Sequence, residues 1–383
     1  MKRNICFISG SRADYHLIKN LLLHFINDKK INTQLVVTGM HMEKSFGLTY
    51  KNIEKDGISI KKKFKINYID DTSNGISKSI SIAVKKFTQT YLNIKPDIVI
   101  ILGDRYEIFS AAIAAMICNL PIAHIHGGET TVGAQDETMR HSITKMSHLH
   151  FTSTEQYRKR VIQLGEKSKN VFNVGSLGVE NTKKIKLLKK WQFEKKINFK
   201  LNKKNLLVTY HSVTLEPNSS KTVFSSLLQV LSELEETNII FTKGNSDKGG
   251  KIINKLIDAY VKRNINAICF ESMGQELYFS AINHTDAVIG NSSSGIIEVP
   301  SFNTITLNIG DRQKGRMKPS SVIDVKPNIK SMRRAIKKIY SSTKFIKKNK
   351  NPYDRRNTSK KIYQIIKSKK LDNILKKEFV DIR

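Results

Sequence analysis

The stretch GNSSSGIIEVP at residues 290–300 opens with a glycine and three serines, and it continues into a helix-compatible segment that contains Glu298. Serine hydrolases place their nucleophile in the pattern G-x-S-x-G, which here would require glycine at the position of Ser294. The spacing therefore excludes that nucleophile motif. Small residues before a helix suit a phosphate, because backbone N–H groups and hydroxyls can point at the anion. The alternative is an ordinary capped helix start.

Carboxylates and histidines gather in the first half of the chain, directly after short apolar runs. Asp104 stands in LGDRYE, and His126 and Glu129 stand in HIHGGETT. Asp136 and Arg140 in QDETMRHS are spaced so that they share one face of a helix. Residues of these types at such positions indicate general acid–base chemistry.

Each of these residues also has a purely structural interpretation. Asp104 could cap the start of a helix, and Glu129 could belong to a turn. Asp136 and Arg140 could form a simple surface ion pair. The histidines of HIHGG and HLH alternate along apolar runs, so some of them must point into a core. The concurrence of these motifs at predicted strand ends favours the functional interpretation.

Residues suited to binding an anion follow other predicted strands. Arg12 lies in SGSRADY after the first apolar run, and His211 lies in TYHS in the second half of the chain. The serine loop is also in the second half, where Glu298 could accept hydrogen bonds from ribose hydroxyls. This division predicts a nucleotide that is held by one half of the chain while its substituent is attacked by the other.

The elements that must position these residues are short apolar runs alternating with helical patterns, which is typical of a parallel α/β sheet. Strands are predicted within residues 4–10, 33–39, 97–104, 121–129, 148–153, 171–181, 206–212, 238–245, 267–272, 286–294 and 304–311. A helix is predicted over 106–118, with alanines that allow close approach to a sheet.

Four segments follow from this pattern. We predict a first Rossmann-like domain with the catalytic carboxylates over 1–181, a lysine-rich interdomain connection over 182–205, a second Rossmann-like domain over 206–350 and a basic C-terminal helix within 351–383. Two such halves place a ligand cleft between them. The sequence contains neither G-x-G-x-x-G nor G-x-x-x-x-G-K-[ST], which argues against a dinucleotide redox enzyme or a P-loop ATPase.

The composition narrows the possible classes of function further. The net charge of +33 invites a nucleic-acid interpretation, but the excess is mostly lysine spread along helical faces, without interleaved aromatic residues. Most of the excess lies after residue 180, where it could attract an anionic ligand. The three cysteines are scattered and form no C-x-x-C pair, so neither a zinc site nor a disulfide framework is expected.

Apolar runs stay far below the ~20 residues of a membrane span. The first residues, MKRNICFISGSRADYH, look unlike a signal peptide, and the expected location is the cytoplasm. We therefore expect no nucleic-acid partner, no membrane span and no metal.

Taken together, the motifs resemble a known family, the hydrolysing UDP-N-acetylglucosamine 2-epimerases of sialic acid biosynthesis. The similarity runs in order from about residue 1 to 325, and no motif is placed beyond it. It is carried by SGSRADY, VTGMHM, LGDRYEIFSAAIAA, HIHGGE, RHSITKMSHLH, RVIQLGE, NVGSLGVEN, GNSSSGIIEVPS and NIGDRQKGR.

The resemblance implies a fold and a reaction. The fold is GT-B-like: two Rossmann-like doubly wound parallel-sheet domains, with a C-terminal helix that crosses back to the first. The reaction converts UDP-N-acetylglucosamine and water into N-acetylmannosamine and UDP, through elimination to 2-acetamidoglucal and then hydration. The resemblance also implies a homo-oligomer, a dimer or a tetramer, that uses no cofactor.

Residue roles are carried over by motif. Asp104 and Asp136 match catalytic carboxylates, and Arg140 matches their companion. His211, for which a catalytic part is also expected, resembles a residue that holds the diphosphate, as does Arg12.

The serine loop resembles the UDP-binding loop of the family. The residues that it would contribute are Ser292, Ser293, Ser294 and Glu298. Arg312 in GDRQKGR is a further candidate to reach the nucleotide.

Two departures from the family pattern leave alternatives open. Many relatives carry glutamate at the position of His126, so either His126 or Glu129 must take over an acid–base role here. HS at 211–212 replaces the HP of many hydrolysing members, but HSVTLE still differs from the HRREN of non-hydrolysing ones.

The rival functions are three. The first is the same reaction on UDP-2,4-diacetamido-2,4,6-trideoxyglucose, for legionaminic acid biosynthesis. The second is a GT-B glycosyltransferase, which would need an acceptor. The third is a basic nucleic-acid-binding protein, whose affinity would collapse with salt.

Overall fold

The computed structural model describes residues 2–66, 72–213, 217–244, 249–341 and 350–381. The chain divides into two compact units. The first comprises Met1–Glu129, Asp136–Asn181 and Tyr353–Arg383, and the second comprises Thr130–Gln135 and Thr182–Pro352. Residues 67–71 and 245–248, the latter including the end of one predicted strand, lie outside the described residues.

The first unit is built on a parallel sheet. Its described strands are β1 (Arg3–Ser9), β2 (Ile31–Val37), β3 (Lys62–Lys63), β4 (Ile98–Leu102), β5 (Ile122–Ile125), β6 (Leu149–Thr152) and β7 (Val171–Asn173). They pair in the order β3-β2-β1-β4-β5-β6-β7, and every pairing is parallel. This order reverses direction between β1 and β4, which is the switch point of a doubly wound fold.

Helices cover both faces of this sheet. They are α1 (Arg12–Ile26), α2 (Tyr50–Lys55), α3 (Ser73–Ile94), α4 (Tyr106–Ile117), α5 (Asp136–Met146), α6 (Glu155–Gln163) and α7 (Leu177–Lys184), with short 3-10 helices at Gly39–Met42, Lys44–Phe46 and Ser168–Asn170. Strand β1 shows why: Ile5 and Phe7 enter the core on one face, and Cys6 and Ile8 enter the core on the other. Near-continuous apolar strands are expected where both faces are buried.

The second unit repeats this design. Its described strands are β8 (Lys204–Thr209), β9 (Thr237–Thr242), β10 (Ala267–Phe270), β11 (Ala287–Gly290), β12 (Ile305–Ile309) and β13 (Val322–Val325), in the order β10-β9-β8-β11-β12-β13. All of these pairings are parallel. The helices are α8 (Lys190–Ile197), α9 (Pro217–Ser232), α10 (Gly250–Arg263), α11 (Gly274–His284), α12 (Ser294–Ile297) and α13 (Ile329–Ser341), with a 3-10 helix at Val299–Phe302.

The predicted GT-B-like fold class, with two Rossmann-like parallel-sheet domains, is confirmed. The sequence analysis did not predict strands β3 and β13, and there is a physical reason in each case. Strand β3 consists of two exposed lysines, and β13 lies at a sheet edge with its residues largely outside the core. The lysine-rich stretch 182–205 contains helix α8, whose Phe193 is buried in the core of the second unit.

The last helix, α14 (Thr358–Ser368), belongs to the first unit. Its Ile362 and Ile366 enter the same core as Phe25 of α1, and the Tyr363 ring meets Phe25 edge-on at 5.1 Å. The buried Glu180 carboxylate accepts hydrogen bonds from the Ser359 backbone N–H at 2.7 Å and from its hydroxyl at 2.9 Å. A carboxylate at the first turn of a helix satisfies free N–H groups and complements the helix dipole.

Parallel strands bring the chemically interesting residues to one edge of each sheet. In the first unit, Arg12, Asp104 and His126 follow β1, β4 and β5, which are adjacent strands. In the second unit, His211 and Ser292 follow β8 and β11, which are also adjacent. Within the described residues, no helix is both long and apolar enough to cross a membrane.

Replacing the buried carboxylate that caps α14 should destabilise the first unit. Glu180→Ala leaves the buried donors of Ser359 without this acceptor, at a cost of about 1–3 kcal/mol in the free energy of unfolding. Glu54→Ala is the control, because Glu54 forms an exposed ion pair with Lys63 at 2.6 Å and should cost under about 1 kcal/mol. Urea denaturation of both variants measures the difference, and equal losses would contradict the capping role.

Candidate active site

The Arg140 guanidinium lies at the centre of the candidate site in the first unit, and its residue is only 3 % exposed. It forms an ion pair with the Asp104 carboxylate. Its Nη1 also donates to the Glu129 carbonyl oxygen at 3.0 Å and to the Glu137 carboxylate at 2.9 Å. Arg140 therefore joins the turn after β4, the loop after β5 and helix α5. Because it is buried, the alternative of a surface ion pair with Asp136 does not describe its environment.

Glu129 and His126 lie on the loop after β5. Glu129 is buried, and its Oε1 accepts a hydrogen bond from the Ser153 hydroxyl at 2.8 Å. The same oxygen is 3.6 Å from His126 Nδ1. His126 has a positive φ of 67°, which is unusual for a residue with a side chain and costs on the order of 1–3 kcal/mol. The strain is consistent with a constrained functional site.

His124 has a structural role beneath the turn that carries Asp104. It is fully buried, with Nε2 2.9 Å from the Gly103 carbonyl oxygen and Nδ1 3.2 Å from the Thr144 hydroxyl. Burial lowers its pKa to about 3, so the ring is neutral and Nε2–H donates to the carbonyl. The expectation that some histidines point into the core is confirmed by this residue.

Arg12 is the first residue of α1, and the turn before it is fixed by its neighbours. The Ser11 hydroxyl accepts from the Asp14 backbone N–H at 3.3 Å, and the Asp14 carboxylate accepts from Gly10 N–H at 3.2 Å. Gly10 lies against Glu107, since an added Cβ would be 2.4 Å from Glu107 Cγ. Arg12 is itself half-buried, and burial lowers its pKa.

His41 supports the same turn from the VTGMHM motif. Its Nε2 lies 2.9 Å from the Ser9 hydroxyl, and its Nδ1 lies 2.8 Å from the Thr49 hydroxyl. The Ser9 hydroxyl lies 3.3 Å from the Ser11 carbonyl oxygen, to which it donates. Burial lowers the pKa of His41 to about 3, so the ring acts as a neutral link. This role has no signal in the motif beyond the presence of a histidine.

The site in the second unit is organised by Asn291, which is buried directly after β11. Its side chain accepts from His211 N–H at 2.7 Å and donates to the His211 carbonyl oxygen at 2.8 Å. Its own carbonyl oxygen accepts from Arg312 Nη1 at 3.1 Å and from Gln313 Nε2 at 2.8 Å. Asn291 thereby connects three segments that the sequence analysis treated separately.

Gly290 allows this close approach of β11 and β8. Its φ is 143°, and an added Cβ would lie 1.9 Å from the Thr209 carbonyl oxygen. Any other residue would separate the strands at the point where the serine loop begins.

The three serines are half-buried and precede or begin the four-residue helix α12. The Ser292 hydroxyl accepts from Ser294 N–H at 3.4 Å, and the Ser294 hydroxyl accepts from Tyr278 OH at 3.0 Å. Burial raises the pKa of Tyr278 to about 12, so its hydroxyl remains a donor. Ser293 is the residue before α12, and Glu298 is the half-buried residue after it.

The GDRQKGR motif contributes a further contact within the second unit. The buried Arg316 donates from Nε to the Thr130 carbonyl oxygen at 2.7 Å and from Nη2 to the Thr131 hydroxyl at 3.3 Å. An added Cβ at Gly315 would be 3.2 Å from Thr130 Oγ1. These contacts explain why residues 130–135 belong to the second unit.

The structure thus brings together two sets of the predicted residues. In the first unit Asp104, His126, Glu129 and Arg140 form one cluster, while Asp136 is the half-buried first residue of α5, one turn before Arg140. In the second unit His211, the serine loop and Arg312 meet at Asn291.

Residues that the sequence analysis missed are mostly partners of the predicted ones: Ser153, Asn291 and Gln313. Asn291 and Gln313 did stand inside recognised motifs, which was the available signal. Within the described residues, no group of three or more His, Cys, Asp or Glu is arranged to hold a metal ion.

Comparison with known proteins gives consistent results. The family model described as UDP-N-acetylglucosamine 2-epimerase matches residues 24–367. A Campylobacter jejuni protein named GDP/UDP-N,N'-diacetylbacillosamine 2-epimerase (hydrolyzing) is 43% identical over 100% of both chains. The Escherichia coli polysialic acid biosynthesis protein P7 is 42% identical, over 99% of this chain and 98% of that protein.

A solved structure shows the same fold. It is the UDP-N-acetylglucosamine 2-epimerase from Neisseria meningitidis bound to UDP-N-acetylglucosamine, with a TM-score of 0.78 at 18% identity over 96% of this chain and 100% of that one.

The buried carboxyl of Asp14 should make stability depend on pH. Burial and the negative charge of Glu107 raise its pKa from 3.8 to about 6. Its proton is therefore held more firmly in the folded than in the unfolded state. Its contribution to stability is complete below pH 3.8 and is lost as the pH rises through about 6.

We expect Asp14→Asn to remove this dependence. Between pH 4 and 7, the free energy of unfolding of the variant should rise relative to that of the parent by up to about 3 kcal/mol. Chemical denaturation of both proteins across this range measures the difference, in which the titration of other groups cancels. Parallel curves would show that Asp14 ionises normally.

Proposed function

We propose that this chain, which belongs to the UDP-N-acetylglucosamine 2-epimerase family, is a hydrolysing 2-epimerase of a UDP-linked 2-acetamido sugar. It releases UDP and returns the free sugar inverted at C2. The observation that carries the proposal is the 43% identity, over the whole of both chains, to a relative named as a hydrolysing 2-epimerase. The cluster of the half-buried Asp104 with the buried Glu129 and Arg140 supports it, because the reaction needs acid–base groups.

The chemistry has two steps. In the first, the bond between C1 and the UDP oxygen breaks and C2 loses its proton, which leaves a 2-acetamidoglucal. In the second, water adds its hydroxyl to C1 and a proton enters C2 from the opposite face. C2–H is a weak acid, so the leaving group must depart early, and stabilising the developing positive charge and the departing diphosphate is the main catalytic task.

The acid–base roles belong to the first unit. Asp104 and Asp136 are the proposed catalytic carboxylates, and Arg140 is the companion that forms an ion pair with Asp104. His126 and Glu129 together replace the glutamate of many relatives, with Glu129 as the carboxylate and His126 as an acid. Their separation of 3.6 Å supports a shared role.

Nucleotide binding belongs mainly to the second unit. Ser292, Ser293 and Ser294 are proposed to bind UDP phosphates, and Glu298 to accept from ribose hydroxyls. His211 and Arg312 join them, and their common attachment to Asn291 supports their acting as one site. A catalytic part in the release of the diphosphate is also proposed for His211, and Arg12 is proposed as a further residue that holds the diphosphate.

Two sugars are candidates. The sequence resemblance favours UDP-N-acetylglucosamine, and the E. coli relative at 42% identity agrees, because N-acetylmannosamine is a sialic acid precursor. The Campylobacter relative at 43% identity names N,N'-diacetylbacillosamine, which is 2,4-diacetamido-2,4,6-trideoxyglucose. We favour UDP-N,N'-diacetylbacillosamine as the substrate, since a relative that matches over its full length names this sugar.

The reaction and its substrate are tested by one NMR time course in D₂O with each UDP-sugar in turn. We expect release of UDP from UDP-N,N'-diacetylbacillosamine together with the C2-inverted free sugar carrying deuterium at C2. Faster turnover of UDP-N-acetylglucosamine would reverse the order of substrates. Release of UDP with retained C2 configuration and no deuterium would indicate simple hydrolysis, and UDP release only with an added acceptor would indicate a glycosyltransferase. Either outcome would refute the proposal.

The division of labour is tested by a pair of variants. Asp104→Asn should abolish turnover while UDP still binds, because the change removes a carboxylate of the first unit. Glu298→Ala should weaken UDP binding by about 1.5–3 kcal/mol, the value of a lost hydrogen bond to a charged group. Isothermal titration with UDP and the turnover assay are applied to both, so each variant serves as the control for the other.

Near-normal turnover of Asp104→Asn would refute the catalytic role of Asp104. Unchanged UDP affinity of Glu298→Ala would refute the role of Glu298 in UDP binding. The same turnover assay on His126→Ala and Glu129→Gln ranks those two residues, and equal, mild losses would mean that neither has the acid–base role.

A further inference from the structure

The last described residues of the chain, 371–381, lie across the first unit and are called here the C-terminal strap. Its Leu371 and Ile374 pack against the core beneath α1. Further along, Val380 N–H donates to the Gly165 carbonyl oxygen at 3.1 Å. The Phe379 ring lies directly on Gly165, where an added Cβ would be 2.5 Å from the ring. The strap is therefore attached at both ends.

Between these attachments, Lys377 reaches the end of helix α5. Its Nζ donates to the carbonyl oxygens of Lys145 at 2.7 Å and Ser147 at 2.6 Å. It also donates to Glu166 Oε1 at 2.9 Å. The last carbonyl groups of a helix lack partners within the helix, and a lysine at this end satisfies them and complements the helix dipole.

Glu166 is the anchor for this lysine and is only 3 % exposed. Its Oε1 accepts from Lys145 Nζ at 2.7 Å as well as from Lys377, and its Oε2 is 3.0 Å from His150 Nε2. Burial raises the pKa of Glu166, but the bonds from His150 and the two lysines outweigh it and lower the pKa to about 2. A buried carboxylate that is ionised needs such partners, and removing one is costly.

This arrangement explains RVIQLGE and the second half of RHSITKMSHLH, to which the proposed reaction assigns no role. Leu164, Gly165 and Glu166 end RVIQLGE, and each accepts a hydrogen bond in this region. The Leu164 carbonyl oxygen accepts from Lys145 Nζ at 3.0 Å, Gly165 accepts from the strap backbone, and Glu166 accepts from Lys377. Lys145 and Ser147 belong to RHSITKMSHLH, whose first residue is Arg140. The same short helix thus carries the Arg140–Asp104 ion pair in its first half and the strap contact at its end.

We propose that Lys377 is a positioning residue: through the strap and Glu166 it fixes the end of α5, and thereby holds Arg140 beside Asp104. From residue 140 to residue 145 the helix rises by only about 7.5 Å, so loosening of its last turn reaches Arg140. Small displacements of catalytic groups have large effects on rate. The consequence for catalysis rests on the proposed function, whereas the effect on α5 does not.

The test compares Lys377→Met, which keeps the aliphatic stem and removes the ammonium group, with Lys376→Met, which changes the exposed neighbouring lysine of the strap. The first measurement is hydrogen exchange of the α5 amides by mass spectrometry. We expect faster exchange over 137–147 in Lys377→Met and parental exchange in Lys376→Met. This result needs no substrate, so it stands apart from any failure of the proposed reaction.

The second measurement is the turnover of the preferred UDP-sugar. We expect kcat of Lys377→Met to fall about tenfold. KM and UDP affinity should be unchanged, since the residues proposed to bind UDP lie mainly in the second unit and none of them is on α5. Lys377→Arg, which can still donate to the carbonyl groups, should recover most of kcat and serves as the second variant if Lys377→Met folds poorly. Unchanged α5 exchange would overturn the proposal, as would loosened α5 with undiminished kcat.

Discussion

The candidate active site depends on the interactions of the buried Arg140 guanidinium with its charged and polar partners. A cation removed from water is tolerated only when charged and polar partners surround it, and breaking such a group typically costs about 3–5 kcal/mol. Here the partners come from three places: the Asp104 carboxylate after β4, the Glu129 carbonyl after β5 and Glu137 on α5 itself. Satisfying one buried charge therefore sets the relative positions of two loops and a helix.

A neutral side chain has the corresponding place in the second unit. Asn291 pairs through its amide with both backbone groups of His211, which extends the contact between β8 and β11 past the end of the sheet. The main-chain carbonyl oxygen of Asn291 also accepts hydrogen bonds from Arg312 and Gln313. Because an amide can donate and accept at once, the Asn291 side chain pairs with both backbone groups of His211, which a carboxylate or an alkyl group could not do.

Both centres are supported by groups that never need to meet a ligand. His124 and His41 are kept neutral by burial and serve as fixed links beneath the turns of Asp104 and Arg12. The C-terminal strap adds a support at the far end of α5 through Lys377. The candidate catalytic and binding residues thus lie largely in loops, and buried polar contacts hold these loops in position.

The sequence by itself determined the fold class and the family. Apolar runs such as those of β1, β4 and β8 are long enough to be buried on both faces, and the nine ordered motifs are specific. It also placed Asp104, Glu129 and His211 at strand ends and Arg140 on a helix face, since these positions follow from local pattern alone. The tertiary structure decided which of these residues meet.

The burial of Arg140 and its bond to Asp104, thirty-six positions away, depend on which strands become neighbours, and no local pattern specifies that. The same holds for Asn291 with Arg312, and for Lys377, whose partners Ser147 and Glu166 lie more than 200 residues earlier. A lysine in a basic tail looks like any solvated charge in the sequence, and its function appears only when the fold brings the unpaired end of a helix to it.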